Sequence, residues 1–522
     1  MSARTPSLTA LGALCRSLSC LLAISLAACA QLQPRPELPV QTAIAAGDSS
    51  PLDSLIAVAE ARRPGQSAFR LLVEGSEAFV IRVRSARMAA RSLDVQTYIW
   101  HADQTGMYIA HTLVEAADRG VKVRVLIDDL DARAMNAGFA AVAAHPNVEV
   151  RLFNPFASRS GALRLIGEGL TSFDRINRRM HNKTWIADNR VAIAGGRNLG
   201  DEYFAASEEV NFVDLDFAMI GPVVRDASAS FDRYWNSPSA YPIEALAGAA
   251  VNVEALAGLR TRLAAHAREV ESSRYAIALR SDNAVQRLIN GDWPMQWSPK
   301  YLFVSDDPLK VTMYERPAEP AGVVAALVPV VKAAQSEVTI ISPYFVPSGT
   351  ATPMLVEVAQ SGRSVRVLTN SLVANDVAAV HGGYSRYRQP LLAGGVQLWE
   401  LKPLTDEKAD SSMFGSSGAS LHTKALIADK RTLFVGSYNL DPRSTWLNCE
   451  QGVLVENEVL AMQLDKIFAA HTAGQRSWRV TLEESKLHWS DGRESFDSDP
   501  RAPLTRRFQA WITRVLHLDA QL

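Results

Sequence analysis

The chain has 522 residues, long enough for two or more domain-sized cores, and carries 54 basic against 55 acidic residues for a net charge of −1. That balance supplies no bulk attraction to nucleic acid or to an anionic surface. A hydrophobic content of 48% is ordinary for a globular protein.

The N-terminus reads as a targeting segment. Arg4 and Arg16 precede an apolar run, Leu18 to Ala28, that is shorter than the roughly 20 residues a bilayer span requires. It fits the apolar region of a signal peptide over residues 1–28. The run ends in L-A-A-C, which resembles a bacterial lipobox and implies cleavage before Cys29 and lipidation of its thiol; an ordinary signal cut nearby is the alternative. Ala30 follows, not Asp, which by the same resemblance argues against retention at the inner membrane. The expected location is therefore the cell envelope, as a membrane-anchored lipoprotein facing the periplasm, the outer membrane favoured. Residues 29–65, rich in Pro, Ala, Ser and Gln, read as a tether. Of the four cysteines, Cys15 and Cys20 fall in the leader, and Cys449 has no mate if Cys29 is lipidated. No Cys/His spacing for a metal occurs.

Beyond the tether, helical and extended patterns alternate. Ala68 to Arg91 reads as a helix, Ser92 to Trp100 as a strand, Thr105 to Arg119 as a helix, and Val121 to Asp128 and Val148 to Pro155 as strands. A basic insertion, Ser158 to Met180, follows; with its arginines and its apolar Leu163, Leu165, Ile166, Leu170, Phe173 and Ile176 it either docks on phospholipid headgroups or packs as surface. Residues Asn236 to Val311 are rich in Ala, Leu and Arg and are expected to form helices wrapping a domain junction, with Trp293 and Trp297 as core anchors. The first pattern then recurs: Ala321 to Ser336 as a helix, Val338 to Phe345 as a strand, Ala351 to Ser361 as a helix, and Ser364 to Asn370 and Val396 to Pro403 as strands. Leu404 to Ser420 is polar and rich in Ser and Gly, either a surface loop or a lid. Thr505 to Leu516 is an amphipathic helix with Phe508, Trp511, Ile512 and Val515 on one face, which is expected to pack on the second half.

Continuous Val/Ile/Leu strands alternating with helices define an α/β class with the sheet covered on both faces. Matching halves predict two α/β lobes, 66–300 and 301–522, related by a pseudo-two-fold with one site at their interface.

The duplication is sharpest in one motif. H-N-K-T-W-I-A-D-N-R-V-A-I-A-G-G-R-N begins at His181, and H-T-K-A-L-I-A-D-K-R-T-L-F-V-G-S-Y-N begins at His422. The offset is constant, since 422 − 181 and 439 − 198 both give 241. One copy of such a spacing is often a strand edge and a turn; two copies in register are not chance. In extended chain, residues two apart share a face, so His181 with Lys183, and His422 with Lys424, point into common space. Two imidazoles and two ammonium groups around one anion suit a phosphodiester, which needs a nucleophile, a proton donor for the leaving alkoxide and neutralised oxygens. Those side chains supply all three without a metal. Asp188 and Asp429 are turn formers that hold the hairpin after each motif and stay out of the chemistry.

An acidic residue recurs on a strand after each motif, Asp214 and Glu450, suited to bind one imidazole nitrogen and fix its tautomer. Asp216, on the same strand face, rivals Asp214.

Both stretches resemble the HKD motif, H-x-K-x(4)-D-x(6)-G-[GS]-x-N, of the phospholipase D superfamily, and their flanks resemble its bacterial cardiolipin synthase branch, particularly type C members. The resemblance covers the chain from about Ala68 to the end and agrees with two phospholipase D-like lobes. It implies a phosphohistidine intermediate on His181, with His422 as proton donor to the leaving alcohol, though the two histidines are symmetric in the sequence. It also implies phosphoryl oxygens held by Lys183, Lys424, Asn198 and Asn439 beside Gly196 and Ser437, and no cofactor. The substrates it implies are phosphatidylglycerol as acceptor, giving cardiolipin, and phosphatidylethanolamine as a candidate donor. Water as acceptor would make the enzyme a hydrolytic phospholipase D. A nuclease, for which the charge balance lacks the basic excess, and a lipid-binding scaffold with a relic site are the further alternatives. No nucleic-acid partner is expected, and neither oligomeric state nor a partner protein is legible.

Overall fold

The computed structural model describes residues 32–159, 167–169, 171–247, 251–289, 292–403 and 419–516. The segment read as a signal peptide, with Cys29, and the stretch 404–418 read as loop or lid lie outside the described residues.

The first lobe contains β1 (Ser67–Leu72), β2 (Ser92–Thr97), β3 (Lys122–Asp128), β4 (Val148–Phe153), β5 (Thr184–Ala187), β6 (Val191–Gly195), β7 (Asn211–Val213), β8 (Asp216–Ile220), β9 (Ala240–Pro242) and β10 (Gln296–Ser298). The second contains β11 (Tyr301–Ser305), β12 (Glu337–Ile341), β13 (Ser364–Asn370), β14 (Gln397–Leu401), β15 (Ala419–Leu421), β16 (Ala425–Ala428), β17 (Thr432–Gly436), β18 (Gln451–Glu456), β19 (Ser477–Glu483), β20 (Lys486–Ser490) and β21 (Ser495–Phe496).

Strand order in the first sheet is β10-β1-β8-β6-β5-β2-β3-β4-β9, and in the second β11-β18-β17-β16-β12-β13-β14-β19-β20-β21. From β1 to β9 and from β11 to β19 the two orders correspond strand for strand. In each sheet three strands run parallel (β2, β3, β4; β12, β13, β14) and the motif hairpin (β5-β6; β16-β17) joins antiparallel. β6 is all apolar and buried throughout, and β3 is buried from Val123 to Asp128, as strands covered on both faces must be. The chain changes sheets between Ser298 and Tyr301.

Each sheet packs helices on its outer face. Their inner faces, with the helices Pro222–Trp235 and Glu458–Thr472, share one core, in which Phe69, Phe217 and Phe231 meet Ile341, Leu368, Val435 and Phe468. The lobes are thus joined by apolar burial, which holds fixed the geometry of anything at the seam.

Three expectations are corrected and two are narrowed. Residues 68–72 form β1 and not the start of a helix; the helix begins at Gly75, because pairing with β8 outweighs local propensity. The stretch 32–65 is not a free tether. Gln41 Nε2 donates to Glu149 and its N–H to Asn236, Ala43 N donates to Asp232, and Ser50 caps a helix Pro51–Ala61 whose buried Asp53 binds Arg91 and Arg190. Helix Val253–Ser272 does not wrap the junction: its Leu259 and Leu263 pack on Val114 and Ala141, on the outside of the first lobe. In the basic insertion the arginines turn inward, Arg159 onto Asp129, Arg175 onto Glu168, Arg178 onto backbone carbonyls, and Arg179 onto Asp128 with both groups fully buried; Arg164 lies outside the described residues. Helix Leu504–Leu516 does pack on the second lobe, but through Ala510 and Thr513, and Phe508, Trp511 and Val515 face outward. Trp293 and Trp297 pack against the first-lobe core.

Candidate active site

A two-stranded parallel pairing crosses the seam: β15 runs beside β7, with Ser420 opposite Phe212 and Leu421 opposite Val213. A parallel bridge joins Met180 to Cys449 on the other side. Each motif histidine is the next residue along, and its N–H donates to the opposite lobe, His181 to Cys449 O and His422 to Val213 O, both at 2.8 Å. The following residues of those opposite segments are Glu450 and Asp214.

The carboxylates are therefore exchanged between lobes. His181 Nδ1 lies 2.9 Å from Glu450 Oε2, and His422 Nδ1 lies 2.6 Å from Asp214 Oδ2. With Nδ1 engaged, Nε2 is the nitrogen left for chemistry in both rings. Asp216, the sequence rival, is the first residue of β8 and a fully buried structural partner of Arg82 and Arg197.

The small pairs that precede the motif asparagines make room for this. A Cβ on Gly196 would stand 2.1 Å from Asp214 Oδ1, so only glycine lets that carboxylate reach across. At the equivalent place Ser437 instead donates its hydroxyl to Glu450 Oε2 at 2.5 Å. Its carbonyl also faces His181 Nδ1 at 3.1 Å.

The two lysines serve one site, the charge of each acting on both imidazoles. Lys183 Nζ donates to His181 O at 2.6 Å, Lys424 Nζ donates to His422 O, and both groups are buried. Burial pulls against their protonation: Lys183, with Glu450 opposing and Lys424 adding to the effect, is held well below an ordinary lysine, and Lys424 comes down to about 8 although Asp214 and Glu450 oppose the shift. Asn198 is fixed at both ends, accepting from Ile99 N and donating to the Tyr203 hydroxyl, while the buried Asn439 Oδ1 has no partner.

The two pairs differ electrostatically. Burial, and then the charges of Lys183, Lys424 and His422, push His181 well below the normal imidazole range. Burial raises its partner Glu450 to about 7 despite Lys183. Burial also lowers His422, together with Lys424, but Asp214 opposes them. Asp214 itself stays ionised, burial being outweighed by His422, Lys424 and Arg197. His181 is thus a neutral imidazole, and His422 is the ring held beside a full negative charge.

Asp188 and Asp429 are tied elsewhere. Each occupies a left-handed turn position, φ 51° and 53°, between the two strands of its motif hairpin. Asp188 accepts from the N–H groups of Ala90, Arg91 and Ser92; Asp429 accepts from those of Gln335, Ser336 and Glu337. Each therefore clamps its hairpin to the preceding helix–strand connection.

Sequence reasoning missed the aromatic walls. Tyr98 stands edge-on to His181 at 5.0 Å between centroids, and Phe212 stacks on His422 at 5.1 Å. It also missed Gln451, whose amide holds Lys183 O and Thr184 Oγ1. Phe212 stands two residues before Asp214, but that position acquires meaning only once β7 is paired with β15.

Two such lobes with paired H-x-K segments at the seam define a phospholipase D-like fold. Residues 83–235 and 327–472 match the family described as cardiolipin synthase, PLD-like domain. The chain is 40% identical over 435 residues to cardiolipin synthase C of Escherichia coli (strain K12), covering 82% of this chain and 90% of that protein. Cardiolipin synthase A of Pseudomonas syringae pv. syringae is 26% identical over 80% of this chain and 72% of its own. The crystal structure of phosphatidylserine synthase from Haemophilus influenzae Rd KW20 shares the fold, with a TM-score of 0.56 at 14% identity, over 89% of this chain and 99% of that one. The chain belongs to the cardiolipin synthase family of phospholipase D-like enzymes.

Proposed function

We propose that this enzyme transfers a phosphatidyl group to phosphatidylglycerol, forming cardiolipin, through a phosphohistidine on His181. The observation that carries this is the exchanged pair of carboxylates, which holds two imidazoles by Nδ1 over two buried ammonium groups. In the first step His181 Nε2 attacks phosphorus. The N–P bond forms as the P–O bond to the leaving alcohol breaks, and His422 protonates the departing oxygen. In the second step His422 takes the proton of the acceptor hydroxyl, whose oxygen bonds to phosphorus as the N–P bond breaks. Lys183 and Lys424 neutralise the non-bridging oxygens, with the buried Asn198 and Asn439 beside them.

The roles of the two histidines follow from their carboxylates. A nucleophile must be unprotonated, which suits His181; a proton carrier gains from a fixed anion behind it, which suits His422 beside ionised Asp214. The names of the relatives support phosphatidylglycerol as acceptor, and likeness to a type C enzyme supports phosphatidylethanolamine as donor. L-A-A-C at residues 26–29 supports an anchored lipoprotein at the outer membrane, through acylated Cys29.

The test is to incubate purified protein with phosphatidylglycerol, with and without phosphatidylethanolamine, and resolve lipid products by mass. Cardiolipin is expected, with phosphatidylethanolamine raising its yield. Phosphatidic acid alone would show that water is the acceptor and overturn the transferase reading. In the His422→Asn protein, labelled substrate should leave a phosphoryl adduct on His181; an adduct on His422 in the His181→Asn protein would reverse the two roles.

A further inference from the structure

Helix Leu504–Leu516 is turned the wrong way round for a surface helix. Its buried residues are the small Ala510 and Thr513, and its backbone comes so close to the helix Ala378–Tyr384 that a Cβ on Gly382 would stand 2.3 Å from Ala510 O. The large apolar residues Leu504, Phe508, Trp511 and Val515 are 83%, 59%, 56% and 50% exposed. Their spacing of four, three and four residues puts them on one stripe, and Phe508 and Trp511 stack at 6.0 Å. A stripe of this kind on a soluble surface marks a binding face.

Charge says what it binds. The helix carries Arg506, Arg507 and Arg514 and no acidic residue, in a chain whose total charge is −1. Arg506 and Arg507 are held against backbone carbonyls at the helix's inner edge and Arg514 is exposed, so an apolar stripe with an aromatic pair lies beside a positive edge; this matches the boundary of an anionic bilayer, where rings and alkyl groups enter the acyl region and positive charge faces the phosphates. A soluble acidic protein would satisfy the arginines but not the exposed Leu504 and Phe508 together.

The helix is also wired to the active site. Arg506 donates to the carbonyls of Leu372 and Asn375 in the loop after β13. Ala374 O in that loop accepts from Ser420 Oγ, and Asn370 pairs with Leu421 through both its amide groups. His422 is the next residue. One side of that loop touches the helix and the other touches the strand that carries the proton donor.

We propose that this helix docks on the surface of an anionic phospholipid bilayer and sets the second lobe's side of the active site against the lipid headgroups. The proposal deepens the phosphatidyl-transfer reading and rests on it only for the consequence on turnover. The test uses the full chain and its Phe508→Ser/Trp511→Ser double variant, neither residue being in the catalytic machinery. Hydrogen exchange of the peptide 504–516 is followed with phosphatidylglycerol vesicles, with phosphatidylcholine vesicles and with none. Turnover is measured on vesicles and on detergent-dispersed lipid. Phosphatidylglycerol vesicles should protect the peptide in the wild type and not in the variant. Turnover on vesicles should fall about 10- to 100-fold in the variant, the worth of two lost aromatic insertions, with turnover on dispersed lipid unchanged. Unchanged exchange on vesicles, or equal and measurable vesicle turnover by both proteins, would overturn the docking. Protection that rises with protein concentration in the absence of vesicles would overturn it in favour of a second copy. If neither protein turns over any lipid, the function reading fails while the exchange result still decides the docking.

Discussion

The substitution Asp214→Asn separates the two carboxylates most cleanly. Asp214 Oδ1 accepts from Leu215 N at 2.8 Å while Oδ2 faces His422 Nδ1 at 2.6 Å, so both oxygens are committed. An asparagine of the same shape has one oxygen. Kept on Leu215 N, it turns the amide NH2 toward His422 Nδ1, which must then accept, and the proton moves to Nε2 of a neutral ring. That ring has lost its anion as well as its tautomer, and reversing the tautomer in such a histidine costs about 10^4 in turnover. Glu450→Gln meets a different situation. Oε2 receives both His181 Nδ1 and the Ser437 hydroxyl, and Oε1 has no partner, so a glutamine can keep its oxygen on both donors and put NH2 where Oε1 was. Since Glu450 already titrates at about 7, glutamine resembles its protonated form. About tenfold is the expected loss, from an amide buried without an acceptor. The assay is single-turnover formation of the phosphoryl-enzyme and of cardiolipin at neutral pH, with melting temperatures as the folding control. D214N within about tenfold of wild type, or E450Q losing as much as D214N, would refute the reasoning.

Three further outcomes follow from the same geometry. Gly196→Ala should push the Asp214 carboxylate off His422 and cut turnover by about the same factor as D214N, read in the same assay, because its Cβ would lie 2.1 Å from Oδ1. Lys424 titrates at about 8, so above that pH it loses the charge that neutralises phosphate; kcat/KM should fall on the alkaline side with an apparent pKa near that value, and a flat profile to pH 10 would deny its role. Asp188→Ala strands the N–H groups of Ala90, Arg91 and Ser92 and should cost about 2–4 kcal/mol in denaturant unfolding, with turnover per folded molecule unchanged.

The motifs were legible because they repeat. His181 with Lys183 and His422 with Lys424 share faces by strand periodicity, and the turn at Asp188 and Asp429 followed from residue type. Asp214 and Glu450 could be named, but not which histidine each would hold: nothing local links residue 214 to 422, and that pairing comes from β7 meeting β15 across the seam. Parity could not separate Asp214 from Asp216; the structure does so because Gly196 opens space only for the former, while Arg82 and Arg197 claim the latter. The packing of 32–65 was illegible because composition reads Pro, Ala and Gln as loose, and the hydrogen bonds that fix it come from Glu149, Asp232 and Asn236, about a hundred residues or more away in sequence. The C-terminal helix misled because amphipathicity shows which face is apolar and not which face is buried.

The exchange of carboxylates constrains how such a site can work at all. Neither lobe holds a complete catalytic unit, since each histidine takes both its backbone acceptor and its Nδ1 partner from the other half. Two identical halves would present two equivalent histidines, each as ready to attack as to donate a proton. A single chain is free to break that equivalence, and this one does so with two small differences. Glycine stands at 196 where serine stands at 437, and aspartate at 214 where glutamate stands at 450. The shorter carboxylate, lying over a glycine, bonds both its oxygens and stays ionised; the longer one shares an oxygen with a hydroxyl and holds its proton more tightly. Those differences leave the fold's symmetry intact and give the two imidazoles different proton affinities, which a two-step transfer requires of its nucleophile and its acid.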